Sequence, residues 1–376
     1  MDAALETIQQ CGATADGATR RKLVTSLNQL IFSMESPSDT IHRYGHMSLQ
    51  TASIRVGFDL GLFKLLAEAE RPLSVDQVAQ AKGTEPELIH RIMRYLTTVG
   101  ALSEVSSSQF QANNVTRNLT DNVVVSGLGH YLNTVEPAYR ALPAFLKRTG
   151  YKTPQDGIHT AFQDGWSTQL SSFQWFGENP KHLAYFNEYM ASRRQPETSW
   201  LSVYPVAQEV KGWDAKDGKQ ALYVNVGGGI GHQCKQFREW YPNLPGRVIL
   251  QDLPHSIEKS LSTPGVENMV HDFFQPQPIK DAKFYFLRGV LHDHPQCHAR
   301  KILEETKAAM GPESVLLIDE MILPGHDVNT IAASIDMTML TALAGMERTE
   351  SQWGATLREA GLELVNTFMY NPLMAV

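Results

Sequence analysis

Cysteine is scarce in this chain: Cys11, Cys234 and Cys297 are the 3 among 376 residues, scattered and without a CxxC pair. That excludes a disulfide scaffold and argues against a metal site, so free thiols in a reducing compartment are expected. Long hydrophobic runs are missing as well. No stretch is apolar for the length a bilayer-spanning helix needs, and the N-terminal stretch carries charges throughout in place of a signal-peptide core. A cytoplasmic protein with no membrane partner is the expectation. Positive charge is also in short supply: 33 Lys and Arg against 40 Asp and Glu give a formal net charge of −7, which argues against a nucleic-acid partner. What remains is ordinary globular composition, 42% hydrophobic and 19% charged, in a chain long enough for two domains and a large core.

The stretch that organises the rest is Leu222-Tyr-Val-Asn-Val-Gly-Gly-Gly-Ile-Gly231, an apolar β-rich run that ends in glycines. A strand that runs straight into glycines gives a tight turn whose backbone can approach a ligand closely. About twenty residues further on, the apolar run Arg247–Leu253 contains Asp252, where doubly wound folds place an acid for a ribose diol. No Lys-Ser/Thr follows the glycines, and their spacing is not that of a pyrophosphate loop. The pattern predicts a ligand with a ribose and no phosphate.

In the N-terminal third, apolar residues recur at helical spacing over Thr19–Met34 and again over His46–Leu66. Ser74 then caps a short helix, Val75–Lys82, and Gly83 turns the chain. Thr84 and Glu87 have capping-box spacing with Pro86 in the first turn. A helix through Ile89, Met93 and Leu96 leads to strands at Ala101–Val105 and from Phe110. This is a winged-helix pattern. Glu85 and Glu87 stand where a recognition helix would meet phosphates, so a dimerisation module is expected rather than a DNA reader. The predicted organisation is a helical, winged-helix-like domain over 1–122, a helical, aromatic-rich substrate-pocket segment over 123–205, and an α/β domain over 206–376. The middle segment contains His130, Trp175, Met190 and the pair Arg193-Arg194.

Beyond Asp252, strands are predicted at Asn268–Val270, Ala282–Leu287 and Ser314–Ile318. Helices are expected near Ser256, Gln296–Met310, Ile331–Leu343 and Ser351–Ala360, and a closing strand over Leu362–Met369. Strands alternating with helices imply an α/β fold built on a doubly wound, mostly parallel sheet, in which ligands bind beyond the carboxyl ends of the strands. Those ends supply the glycines, Asp252, Asp272-Phe273, Arg288 with His292-Asp293, and Glu320. Asp272 suits an adenine amino group, with Phe273 flanking the ring. His292 is placed to deprotonate a substrate hydroxyl, and Glu320 and Glu347 to hold its other nitrogen.

Val-Gly-Gly-Gly-Ile-Gly231, Gln-Asp-Leu-Pro254, Asp-Phe-Phe274, Leu-His-Asp293, Asp-Glu-Met-Ile-Leu-Pro324 and Glu-Arg-Thr349, in that order, resemble the motif series of class I S-adenosylmethionine-dependent O-methyltransferases. The likeness is to the caffeate-type small-molecule group and its fungal secondary-metabolite branch, and it covers nearly the whole chain. It implies a Rossmann-like catalytic domain, a winged-helix dimerisation domain, a homodimer, S-adenosylmethionine as cofactor and a small aromatic or polyketide-type substrate. By position, Gly227 and Gly229 would line the methionine part of the cofactor, Asp252 the ribose, and Asp272 with Phe273 the adenine, with Leu253 and Arg288 as further cofactor-binding candidates. His292 would be the general base, with Glu320, Glu347 and Asp293 around it. His130, Trp175, Met190, Arg194 and Met339 are the substrate candidates. One departure is Asn225, where the family usually carries Asp at the end of the first strand. The same branch includes pericyclases that keep the fold and the cofactor without transferring methyl, with His130 and Arg194 as candidate donors beside His292-Asp293. A non-catalytic cofactor sensor is the third possibility.

Overall fold

The computed structural model describes residues 1–192 and 199–376. They divide into two compact units, Met1–Leu128 and Gly129–Val376.

The first unit opens with helices Asp2–Thr14, Gly17–Met34 and Pro37–Gly45. Asp16 caps the second by accepting from Thr19 N at 2.7 Å, and Ser36 and Asp39 form a reciprocal box on the third. The single helix expected over His46–Leu66 is two, Met47–Asp59 and Leu62–Glu68, because Gly61 takes a left-handed conformation at φ +60°. Val75–Lys82 is capped as expected: Ser74 Oγ accepts from Gln77 N, and Gly83 at φ +62° ends the helix. Pro86–Thr98 starts differently from the prediction. Its N-cap is Glu85 with no side-chain cap bond, so the Thr84–Glu87 box does not form, and Pro86 at the first position needs no partner for an N–H it lacks. Strands β1 (Leu73–Ser74), β2 (Ser103–Ser106) and β3 (Gln109–Gln111) pair antiparallel in the order β1-β3-β2. Ile89, Met93 and Leu96 bury the inner face of the longer helix against Phe63, Leu66, Val78 and Phe110.

The second unit is built on a seven-stranded sheet: β4 (Ala221–Val226), β5 (Arg247–Asp252), β6 (Val266–Val270), β7 (Phe284–Arg288), β8 (Val315–Leu323), β9 (Arg348–Thr349) and β10 (Met374–Ala375). The order is β10-β8-β7-β4-β5-β6 with β9 on β8, and every pairing except β10 with β8 is parallel. The chain runs outward from β4 through β5 to β6, then crosses to the other side of β4 for β7 and β8. Strand order therefore reverses at β4, the place where such sheets open a ligand crevice. Continuous burial of β4 explains why its sequence is apolar apart from the buried Asn225, since helices cover both faces. On one face Trp200 stacks on Phe286 at 4.8 Å and Tyr223 on Phe237 at 4.4 Å.

Two sheet predictions need correction. β8 does not stop at Ile318. Met321, Ile322 and Leu323 continue the apolar pattern, so Asp319 and Glu320 lie inside the strand, both buried. No strand forms over Leu362–Met369, where Leu364 and Val365 are adjacent and both exposed. The closing strand lies later because Asn371 Oδ1 accepts from Leu373 N and Met374 N, turning the chain back onto β8. Among the described residues, no helix is long and apolar enough to cross a membrane.

Candidate active site

The glycine loop leaves β4 with Gly227 at φ +66°, Gly229 at +62° and Gly231 at +95°. A Cβ on Gly227 would stand 2.9 Å from Val290 Cγ2 and 3.2 Å from Phe273 Cε1, so the missing side chain lets those two residues close over the loop. A Cβ on Gly229 would meet nothing within 4 Å, so the space before it is open. Asp252, ending β5, accepts from Gly229 N (2.7 Å) and from Leu253 N (2.7 Å), one to each carboxylate oxygen. Burial pushes its carboxyl above the usual range, against those two bonds. Asp272 Oδ1 accepts from Phe274 N at 2.9 Å, a local turn that presents Phe273. Asn225 is buried under the loop, where a Cβ on Gly228 would strike its side chain, and so packs the loop from below.

Arg288 ends β7 and pairs with Asp319, Nε to Oδ2 at 3.0 Å, while Tyr370 Oη donates to Asp319 Oδ1 at 2.7 Å. Past Gly289 a short 3-10 turn, Leu291–Asp293, carries His292. Glu320 Oε1 accepts from Val290 N (3.0 Å), Leu291 N (2.9 Å) and His292 N (3.4 Å), so this acid caps the turn through its backbone. Its other oxygen stands 3.8 Å from His292 Nδ1. The direct partner of Nδ1 is Glu347 Oε1 at 2.6 Å, and Asp293 Oδ1 lies 3.3 Å from Nε2. The helix Thr330–Leu343 fixes Glu347 in turn, because Asp336 Oδ1 accepts from Glu347 N at 2.8 Å. Met346 N donates to the His292 carbonyl at 2.9 Å. Only glycine fits before it, since a Cβ on Gly345 would land on that carbonyl oxygen.

Burial works against charge on His292, yet Glu320, Asp293 and Glu347 outweigh it and push the imidazole up to about 10. Burial also pushes the Glu320 carboxyl up to about 7, with His292 opposing and Glu347 and Asp293 adding to the rise. The structure thus gathers His292, Asp293, Glu320 and Glu347 at one point, and Gly227, Gly229, Asp252, Leu253, Asp272 and Phe273 around the loop. Ligand atoms of His292, Glu320 and Glu347 lie within 4.8 Å of one another, a set a divalent cation could contact, but the short bond from Nδ1 is that of a proton-sharing pair. Met339 sits half-buried on the helix that packs against the His292 turn. His130 lies among Tyr131, Phe186 and Tyr189, with ring centroids 5.5, 5.5 and 6.2 Å away, immediately before a π-helical turn at Tyr131–Val135. Trp175 is core-packed on Trp166 at 4.5 Å, and Met190 is half-buried on Pro180–Ser192. Arg194 falls outside the described residues. Sequence reasoning passed over Asp336, Gly345 and Arg348. The last was in view inside Glu-Arg-Thr349, but only its neighbour Glu347 was read as chemistry.

Comparison with known proteins places the chain in a family. Residues 171–363 match the O-methyltransferase domain family and residues 43–122 the O-methyltransferase dimerisation domain. The chain is 38% identical over 351 residues to the O-methyltransferase ucdC of Aspergillus ustus, an alignment covering 93% of this chain and 91% of that one. Two solved structures superpose along almost the whole length. A LepI complex with SAM gives a TM-score of 0.89 at 35% identity, and a protein described as a pericyclic reaction enzyme gives 0.90 at 36%; each covers 99% of this chain and 97% of the other. The chain belongs to the O-methyltransferase family.

Proposed function

We propose that the chain binds S-adenosylmethionine at the carboxyl edge of its sheet and methylates a hydroxyl of a small aromatic or polyketide-type secondary metabolite, with His292 as general base. What carries the reading is the 2.6 Å bond between His292 Nδ1 and the buried Glu347 carboxylate. In the neutral ring, with Nδ1–H donating to Glu347, Nε2 keeps the lone pair that can take a phenol or enol proton. Glu347 orients the ring and stabilises the imidazolium that results, while Glu320 holds the turn by its backbone.

The residues suit the cofactor. Space before Gly229 is open, and Asp252, held by the Gly229 and Leu253 N–H groups and by Ser256, keeps carboxylate lone-pair capacity to accept from a ribose diol. Three acids near His292 favour a cationic ligand. When bound, the cofactor supplies an electrophilic methyl on a sulfonium, already a good leaving group, so the protein's task is proximity and a base. His130, Trp175, Met190, Arg194 and Met339 are proposed for the substrate side. A homodimer located in the cytoplasm is part of the proposal, and the dimerisation-domain match supports the dimer. The reading needs no metal, and a chelator should leave turnover unchanged.

One observation favours a second reading. An imidazole held up to about 10 is a hydrogen-bond donor at neutral pH, suited to polarising a carbonyl in a pericyclic step. Product mass separates the two. Purified protein and S-adenosylmethionine, given a panel of fungal phenols and 2-pyridone alcohols, should yield a product heavier by one methyl group together with S-adenosylhomocysteine. An isomer or a dehydration product without S-adenosylhomocysteine would replace the transferase with a pericyclase.

A further inference from the structure

Arg348 is fully buried, and its guanidinium finds only neutral acceptors. Nη1 donates to the carbonyls of Leu291 and Met346, both at 3.3 Å, and Nη2 donates to Gln296 Oε1 at 3.2 Å. Nε has no hydrogen-bond partner among the described residues, and the flat cation lies 5.0 Å over the Trp353 ring. Burying a cation without a bonded carboxylate is costly, and an apolar residue of similar length would avoid the cost. The two bonded carbonyls suggest what offsets it. Leu291 immediately precedes His292, and Met346 immediately precedes Glu347, so one guanidinium ties together the two backbone segments whose side chains share the 2.6 Å bond.

We infer that Arg348 is a positioning residue: it clamps the His292 and Glu347 segments in register and supplies the fixed positive charge that keeps the surrounding acids from holding the proton on His292 too tightly. The groups facing His292 are Asp293 on its own turn, Glu320 on β8 and Glu347 before β9, with Asp336 behind Glu347; Arg348 acts on Glu320 and Glu347 and on His294, the neighbour of the turn. The acids outnumber the cations. Burial acts to lower the Arg348 pKa, while Glu320 and Glu347 act to raise it, so the guanidinium is coupled to two of the three acids that hold the proton on His292.

The inference rests on His292 as the base, and its test is independent of turnover. The His292 imidazole is titrated by nitrogen NMR in the free wild-type protein and in Arg348→Gln and Arg348→Lys, alongside melting curves. Arg348→Gln should raise the midpoint by roughly half a pH unit or more, and Arg348→Lys, which keeps the charge, should leave it near wild type. In the methyl-transfer assay Arg348→Gln should then move the acid limb of the pH profile upward, whereas Arg348→Lys should lower the plateau with the limb in place. If Gln does not fold, Lys still decides, because a midpoint moved as far upward by Lys as expected for Gln would overturn the charge role. Unmoved midpoints in both variants would reduce Arg348 to packing. A midpoint raised in Arg348→Gln relative to wild type, in a protein whose wild type never methylates, would sink the proposed function and leave the coupling of Arg348 to His292 standing.

Discussion

At the scale of single residues, the site is a balance between orienting His292 and freeing it to act. Glu347 does the first through a 2.6 Å bond, but with Glu320 and Asp293 it also pushes the imidazole up to about 10. Only the neutral ring can accept a proton, so kcat/KM for methyl transfer, which reports the free enzyme, should climb from pH 7 toward pH 10. A pericyclic reaction driven by the protonated ring should instead hold level and then fall over the same window. Stability should run the other way. A histidine whose folded pKa lies above its unfolded value of 6.5 stabilises fully below that value and loses the contribution as pH rises through about 10. Glu320, raised from 4.5 to about 7, adds a loss of the same sign at lower pH, because its ionisation is disfavoured only in the fold. Melting temperature should therefore decline across the range in which activity rises, and His292→Ala should flatten the upper part of that decline. The same variant should keep cofactor affinity while kcat drops about 10²-fold or more, the scale of a lost general base. Turnover equal to wild type would remove His292 from the chemistry. Asp252→Ala should weaken S-adenosylmethionine binding by calorimetry, since no other described acid is bonded to the glycine loop. A wild-type constant would take Asp252 out of the site.

At the scale of elements, how far the sequence could be read depends on whether a signal is local. The glycine loop and Asp252 were legible because a strand, a positive-φ turn and a strand-end acid are written within one βαβ unit. His292 and Glu320 were legible at strand ends and Glu347 as an acid in a later loop, but the division of labour was not. Glu320 bonds three backbone N–H groups, which no side-chain pattern records, and it lies within β8 because three apolar residues beyond it extend the strand. The break at Gly61 was hidden because a helical apolar period persists across one left-handed residue. Gly345 was invisible for a different reason: its constraint is a carbonyl from a segment distant in sequence. Gly345→Ala is accordingly a test of element packing. The added methyl must displace either the His292 turn or the chain that bears Glu347, so kcat should fall by an order of magnitude or more, with a destabilisation of about 1–3 kcal/mol typical of overpacking. Wild-type turnover with an unchanged melting curve would show that the turn yields without cost to the site.

At the scale of the whole molecule, the N-terminal helices pose a question that the monomer does not answer. No residue of Asp2–Thr14 or Pro37–Gly45 is fully buried, and Gly17–Met34 exposes Leu30, Ile31, Phe32 and Met34, each at least half exposed. Isolated helices of this length are marginal in water, and their caps alone supply only about 1 kcal/mol each. An apolar face of this extent calls for a partner. The dimerisation-domain match at residues 43–122 begins inside the third helix, so the exposed segment is continuous in sequence with it. A second copy of the chain is the partner this points to. Light scattering should give twice the 41.9 kDa chain mass, and the melting temperature should rise with protein concentration, as mass action requires when folding and association are coupled. Ile31→Glu places a charge in the middle of the exposed face, where it costs a monomer almost nothing and a buried interface several kcal/mol. It should shift the mass toward monomer and lower the melting temperature. A wild-type mass with an unchanged melting curve would show that these helices stay in solvent, and would leave dimerisation to residues 43–122 alone.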